Sequence, residues 1–147
     1  MEMEFVLPPS CVPPPPHVHP RQVEEYEVLE GRLEVTVDAQ WQTLEVGESV
    51  TVPLAALHTF RNRSGEVVRV RNWHRPAVRF EQFIEQTSAT LRAVGVKRRR
   101  DPRIAICLSM VMLAFEDTLQ PGRRRERIPM QALARLGKLL GIPGPAR

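Results

Sequence analysis

Between Glu4 and Trp73 the sequence is built of short segments in which apolar and polar residues nearly alternate, separated by turn residues. Valine, threonine and the aromatic residues are concentrated there, as is typical of β-strands on a pleated, half-buried surface. Closely spaced short strands with a turn between each pair predict a β-sandwich or barrel. The predicted strands are Glu24–Glu30, Leu33–Val37, Trp41–Val46, Ser49–Val52, Leu57–Asn62 and Val67–Trp73.

Beyond Pro76 the apolar residues change to helical spacing. Pro102 suits the first position of a helix, where a missing N–H has no consequence, and Pro121-Gly122 is a stop signal. The sequence therefore predicts a barrel over residues 1–77 and a helical tail over 78–147, packed on the barrel or on a second subunit. The predicted helices are Val78–Ala93, Pro102 to about Leu119, and Pro129 to about Gly141.

Charge is distributed unevenly between these two parts. Residues 1–96 carry 9 Lys/Arg and 13 Asp/Glu, a net charge of −4, whereas residues 97–147 carry 12 and 4, a net charge of +8. The basic runs Lys97–Arg100 and Arg123–Arg125 lack the interleaved aromatic residues of nucleic-acid-binding segments, and solvated helix surfaces account for them. We predict a small molecule and a second copy of the chain as partners, not a nucleic acid or a membrane.

The remaining composition indicates a cytoplasmic protein. Cys11 and Cys107 lie far apart and form no Cys-x-x-Cys spacing, which favours reduced thiols. The N-terminal segment is acidic and soon rich in proline, unlike a secretion signal. The longest apolar stretch, Ile104–Phe115, is too short to span a bilayer and reads as a buried helix.

Three histidines occur at spacings that suggest a metal site. His17 and His19 are separated by one residue, so both side chains point to the same side of an extended segment. His58 lies on a later predicted strand. Of the two glutamates at the start of the intervening strand, Glu24 shares its face with apolar and aromatic residues, whereas Glu25 would bring a further glutamate inside. Strand alternation therefore favours Glu24 as the inward residue.

Residues 11–62 resemble the two consecutive motifs of the cupin superfamily. The first motif matches His17-Val18-His19, four residues, Glu24, six residues and Gly31, and the second matches Gly47, Pro53, Ala55, His58 and Asn62. Cys11 and Ala55 depart from the pattern, because the family has glycine at both positions. Neither is a ligand position, although a residue with a Cβ tolerates positive φ less well than glycine in the turn before His58.

The resemblance implies a mainly β, jelly-roll cupin barrel with a C-terminal α-helical extension. It also implies one metal ion at the mouth of the barrel, held by His17, His19, Glu24 and His58. Three imidazoles and a carboxylate suit a divalent transition metal such as Fe, Mn, Ni, Cu or Zn. Because only sixteen residues precede His17, we expect short opening strands or strands supplied by a neighbouring subunit.

Such a site leaves positions for water or substrate, which predicts a metal-dependent enzyme acting on a small organic molecule. An iron dioxygenase is the preferred class; an isomerase or decarboxylase would need the same ligands. The alternatives are a non-catalytic barrel that binds or senses a small molecule, and a purely structural metal site.

Four further residues are pocket candidates. Tyr26 and Phe60 lie on the same face of their predicted strands as the ligands, the face that points into the barrel. They either line the pocket or pack in the core. Asn62 either orients a ligand or marks the end of its strand. His74 also lies on the inward face of its predicted strand, and it is either a hydrogen-bonded histidine at the strand end or a catalytic base.

Overall fold

The computed structural model describes residues 1–9, 11, 13–97 and 101–145. It contains two antiparallel β-sheets and three α-helices, and the last short strand of the second sheet lies between the second and third helices. The first sheet has the order β1-β8-β3-β6 and the second the order β5-β4-β7-β2-β9. This arrangement confirms the predicted mainly β barrel with a helical extension. The strands are β1 (Glu2–Leu7), β2 (His17–Val18), β3 (Val23–Glu30), β4 (Leu33–Val37), β5 (Gln40–Leu44), β6 (Ser49–Val52), β7 (His58–Arg61), β8 (Val68–Arg75) and β9 (Gln120–Pro121).

Residue alternation along β3 and β8 creates the barrel core. In both strands every second side chain is buried and the intervening ones face outward. On the outer face arginines of β8 pair with glutamates of β1 and β3, as Arg71 does with Glu4 and Glu27. Between the sheets lies a cluster of buried side chains: Tyr26, Val28, Leu33, Val35, Leu44, Val52, Ala56, Val68 and Val70.

Gly31 forms the turn between β3 and β4 because no side chain fits there. Its φ is +76°, and a Cβ at this position would lie 2.5 Å from the carbonyl oxygen of Val67. The turn therefore requires glycine both for its backbone conformation and for its close approach to the start of β8.

Strand β1 differs from the expectation of short or borrowed opening strands. It is six residues long and pairs along its whole length with β8 of the same chain, from Glu2 opposite Trp73 to Leu7 opposite Val68. The acidic start of the chain suits this position because it faces the arginines of β8.

The helices are α1 (Phe80–Ala93), α2 (Arg103–Ala114) and α3 (Arg127–Leu139), with a 3-10 turn at Arg124–Glu126 before the last. The predicted second helix was too long, since α2 ends at Ala114 and the N–H groups of Thr118 and Leu119 turn back to the Phe115 carbonyl. Of the basic run Lys97–Arg100, all but Lys97 lies outside the described residues. Among the described helices, none has the length and hydropathy needed to cross a membrane.

A second apolar cluster connects the tail to the barrel. It contains Phe80 and Phe83 of α1, Val111 of α2, and Phe115 and Leu119 of the segment that follows. Met1 and Met3, at the start of the barrel, pack against this cluster. The helices therefore cover the end of the barrel where β8 leads into the tail.

Candidate metal centre

Four buried side chains from both sheets converge at this covered end of the barrel. His17 on β2 lies opposite His58 on β7 in the strand register, His19 follows β2 directly, and Glu24 reaches in from β3 of the other sheet. One ligand atom from each lies within 4.8 Å of the others, and the residues are at most 7% exposed. The structure thus brings together the set predicted from the sequence, while Glu25 pairs with Arg75 on the outer face.

Backbone carbonyls orient all three imidazoles in the same way. The Nδ1 atoms of His17, His19 and His58 lie 2.9 Å, 2.7 Å and 2.9 Å from the carbonyl oxygens of Pro15, Thr118 and Ala56. A carbonyl oxygen only accepts, so each Nδ1 carries the hydrogen and, in the neutral ring, Nε2 keeps its lone pair. Histidines that bind a metal through one ring nitrogen typically donate a hydrogen bond from the other nitrogen, as these three do from Nδ1.

Glu24 places one carboxylate oxygen among these nitrogen atoms. Oε2 lies 2.7 Å from Nε2 of His58 and 3.4 Å from Nε2 of His19. None of these three atoms has a hydrogen-bond partner within the described residues. Acceptors this close repel one another unless a metal ion or a proton lies between them, and the separations suit atoms that each lie about 2.0–2.2 Å from one metal ion. The donor set fits a divalent transition metal.

The other oxygen of Glu24 is held by a residue that the sequence did not single out. Nδ2 of Asn72 donates to Oε1 at 2.9 Å. Because that amide nitrogen is the donor, Oδ1 of Asn72 accepts from Nε2 of His74 at 2.9 Å. His74 also lies 3.3 Å from Oε1. Asn72 and His74 thereby fix the carboxylate so that Oε2 faces the three imidazoles.

The protonation states favoured by this environment suit metal binding. Burial, together with the neighbouring His58 and His19, lowers the pKa of His17 to about 3. Burial alone would raise the pKa of Glu24, but the adjacent imidazoles of His19 and His58 hold it well below its usual range. Because both pKa values are lowered, His17 is neutral and Glu24 is ionised at neutral pH. These are the forms that bind metal ions.

Tyr26 and Phe60 point into the barrel, as alternation along their strands predicts. The Tyr26 ring is fully buried, packs edge-on against Phe60, and has no hydrogen-bond partner for its hydroxyl within the described residues. Burial and the Glu24 carboxylate raise the pKa of Tyr26 well above its ordinary value, so the hydroxyl keeps its proton. Phe60 also stacks on Phe5, which places it in the barrel core.

Asn62 lies apart from the four candidate metal ligands. Its amide nitrogen lies within 3.2 Å of the carbonyl oxygens of Leu7, Pro8 and Glu66, and its oxygen accepts from the N–H and hydroxyl of Ser64. These contacts tie together the end of β1 and the turn after β7, so they give Asn62 a structural role at the strand end.

The turn before His58 retains a glycine-like conformation in spite of its alanine. Ala55 has a φ of +60°, and its N–H donates to the carbonyl of His19 at 2.9 Å. The left-handed conformation costs a residue with a Cβ on the order of 1–2 kcal/mol. The departure from the family motif at this position therefore leaves the geometry of the turn intact.

The helical tail makes two contacts with the centre that the sequence gave no sign of. The carbonyl of Thr118 accepts from His19, 99 residues earlier in the chain. The ring of Phe80 stacks on His74 with 3.5 Å between centroids and also lies edge-on to His19. No local sequence signal marks such contacts, because they depend on how the tail folds back over the barrel.

Residues 3–74 match the family model of the cupin domain, Cupin_2. The protein belongs to the cupin superfamily. The match covers about half of the chain and contains every predicted metal ligand, so the buried His17, His19, Glu24 and His58 cluster fits a metal site in a cupin.

Two curated proteins resemble this cupin over part of its barrel. The polyketide synthase protein CurC of Streptomyces cyaneus is 37% identical over 54 residues, which are 37% of this chain and 35% of CurC. The HTH-type transcriptional regulator SutR of Escherichia coli (strain K12) is 37% identical over 46 residues, 31% of this chain and 26% of SutR. The chain therefore spans about a third or less of the length of these relatives.

One solved structure is also similar to this cupin over its barrel. The Cupin_2 domain of an XRE family transcriptional regulator from Enterobacter cloacae is 26% identical, with a TM-score of 0.45. The superposition covers 50% of this cupin and 77% of that chain.

Proposed function

We propose that this cupin is a metal-dependent enzyme that acts on a small organic molecule, with an iron dioxygenase as the preferred reaction class. The observation that supports it is the convergence of three Nε2 lone pairs and one carboxylate oxygen in a buried centre. When a divalent metal is bound there, it supplies Lewis acidity and, if it is iron, one-electron redox chemistry. A homodimer and a cytoplasmic location remain predictions from the sequence.

The chain's own residues have distinct tasks in this proposal. His17, His19 and His58 hold the metal through Nε2, and Glu24 holds it through Oε2. Tyr26 keeps a proton on a buried hydroxyl beside Glu24, where it can donate a hydrogen bond to a ligand at the metal. Burial of the whole set excludes bulk water from the reacting atoms.

A second candidate is a non-catalytic barrel that binds or senses a small molecule. The direct hydrogen bond between the tail and a metal ligand, from His19 to Thr118, favours it. Through that bond a change at the centre can reach the helices without any turnover.

Oxygen uptake by the protein reconstituted anaerobically with Fe(II) separates the two candidates. A panel of small catechols, β-dicarbonyl compounds and 2-hydroxy acids would be supplied, and binding of each would be measured in parallel by calorimetry. Glu25→Gln is the matched control for Glu24→Gln, because Glu25 is the neighbouring carboxylate but lies on the outer face.

A dioxygenase consumes oxygen with at least one class of compound, and Glu24→Gln loses this uptake while Glu25→Gln retains it. Binding without uptake for every compound would contradict the dioxygenase, and binding that leaves every compound chemically unchanged would support the sensing barrel. Uptake unchanged in Glu24→Gln would contradict a role for the centre in the reaction.

A further inference from the structure

The C-terminal tail completes the environment of one metal ligand. The hydrogen bond from His19 Nδ1 to the Thr118 carbonyl is 2.7 Å long, and both residues are buried, with Thr118 fully inaccessible. His17 and His58 instead use carbonyls two residues away from them in the sequence. His19 therefore depends on a segment outside the barrel for its orientation.

The same segment is joined to the barrel beside a second ligand. In the strand register β9 places Pro121 opposite His17 and Gln120 opposite Val18. The N–H of Gly122 donates to the carbonyl of Pro16 at 3.1 Å. Gly122 is closely fitted here, because a Cβ would lie 2.4 Å from Leu57 Cδ1 and 3.0 Å from the Pro16 oxygen.

We propose that the Thr118 carbonyl is the positioning group for His19, so that docking of the tail through β9 and binding of the metal stabilise each other. This inference rests on the metal site proposed above. With the carbonyl in place, His19 is held in the tautomer and orientation that present Nε2 to the metal. Without it the ring is free to turn or to shift its hydrogen to Nε2, which removes a ligand.

Coupling of this kind is reciprocal. If docking of the tail raises metal affinity by a given factor, metal binding favours the docked tail by the same factor. Loss of an outer hydrogen-bond partner of a metal ligand typically weakens metal binding about 10–100-fold. We expect a factor in this range for the tail.

The first test is a zinc titration against a chromophoric chelator with the full-length chain. Gly122→Val crowds the Pro16 carbonyl and is expected to displace β9 from β2 without altering a ligand side chain. Gly65→Val is the matched control, because a Cβ at Gly65 meets nothing within 4 Å. We expect zinc affinity to fall about 10–100-fold in Gly122→Val and to stay within about twofold in Gly65→Val. Cobalt absorption of Gly122→Val should differ from wild type because His19 no longer binds in the same way.

The second test uses wild type alone, so it remains decisive if Gly122→Val does not fold. Hydrogen–deuterium exchange is followed in residues 115–122, with and without zinc. The β4–β5 hairpin, residues 33–44, belongs to the same sheet and serves as the internal control for general stabilisation. We expect zinc to slow exchange in 115–122 at least about tenfold more than in the hairpin.

The outcomes separate the two proposals. If wild type binds no zinc, the metal site itself is wrong. If wild type and Gly122→Val bind zinc with equal affinity, or if zinc slows exchange equally in both segments, the metal site stands and the coupling to the tail is overturned.

Discussion

Replacement of Asn72 by alanine tests how the centre is organised around Glu24. Asn72 is fully buried and donates to Glu24 Oε1 at 2.9 Å, yet it is not itself one of the converging ligands. Asn72→Ala removes the group that fixes the carboxylate but leaves the four ligand side chains present. We therefore expect weaker metal binding with an unchanged stoichiometry.

The expected magnitude follows from the contacts. A hydrogen bond to a charged group contributes about 1.5–3 kcal/mol. His74 Nε2 lies 3.3 Å from the same oxygen and, released from Asn72, can take over part of this role. A net loss of about 1.4 kcal/mol corresponds to an affinity about tenfold lower.

The assay is a competition titration with zinc and a chromophoric chelator, accompanied by chemical denaturation of each variant. Asn62→Ala is the matched control, since Asn62 is also buried and multiply hydrogen-bonded but contacts the strand end. We expect both variants to lose stability and only Asn72→Ala to lose affinity. Equal affinities for Asn72→Ala and wild type, or an equal loss in both variants, would refute this reasoning.

Three further predictions concern stability. Phe80→Ala should lower the free energy of unfolding, measured by urea denaturation, by about 3–5 kcal/mol, because the buried ring packs on His74. Ile84 lies on the same helix but is 39% exposed, so Ile84→Ala should lower it by about 1 kcal/mol or less. Free zinc at 100 times its dissociation constant should stabilise the folded chain by about 2.7 kcal/mol, raising the melting temperature by roughly 5–10 °C in calorimetry, and a chelator should reverse the rise. Gly31→Ala should prevent folding or lower the melting temperature strongly, while Gly65→Ala should change it little; similar melting temperatures for the two would contradict the close approach at Gly31.

Local patterns predicted the strands and the inward side of Glu24, and the resemblance to the cupin motifs predicted the full ligand set. Alternation with a period of two placed Glu24 inside and Glu25 outside, because neighbouring strand residues point to opposite faces. The one-residue separation of His17 and His19 likewise follows from extended backbone. These features depend only on residues that are close together in the chain, so they can be inferred from one sequence.

The remaining features depend on residues far apart in the chain. Strand β9 is two residues long and exists through its pairing with β2, about 100 residues earlier. The role of Asn72 follows from its place opposite Tyr26 in the β3–β8 register, which the sequence does not state. The apolar run that suggested a helix to Leu119 concealed the turn at Phe115, since Phe115 and Leu119 are buried in the same cluster without being helical.

The measurement that tests the central claim most directly is elemental analysis of the purified protein by plasma mass spectrometry, with wild type, Glu24→Gln and Glu25→Gln side by side. The account predicts about one equivalent of a divalent transition metal in wild type and Glu25→Gln, with a marked loss in Glu24→Gln. Absence of stoichiometric metal from wild type after reconstitution, or full retention by Glu24→Gln, would contradict it.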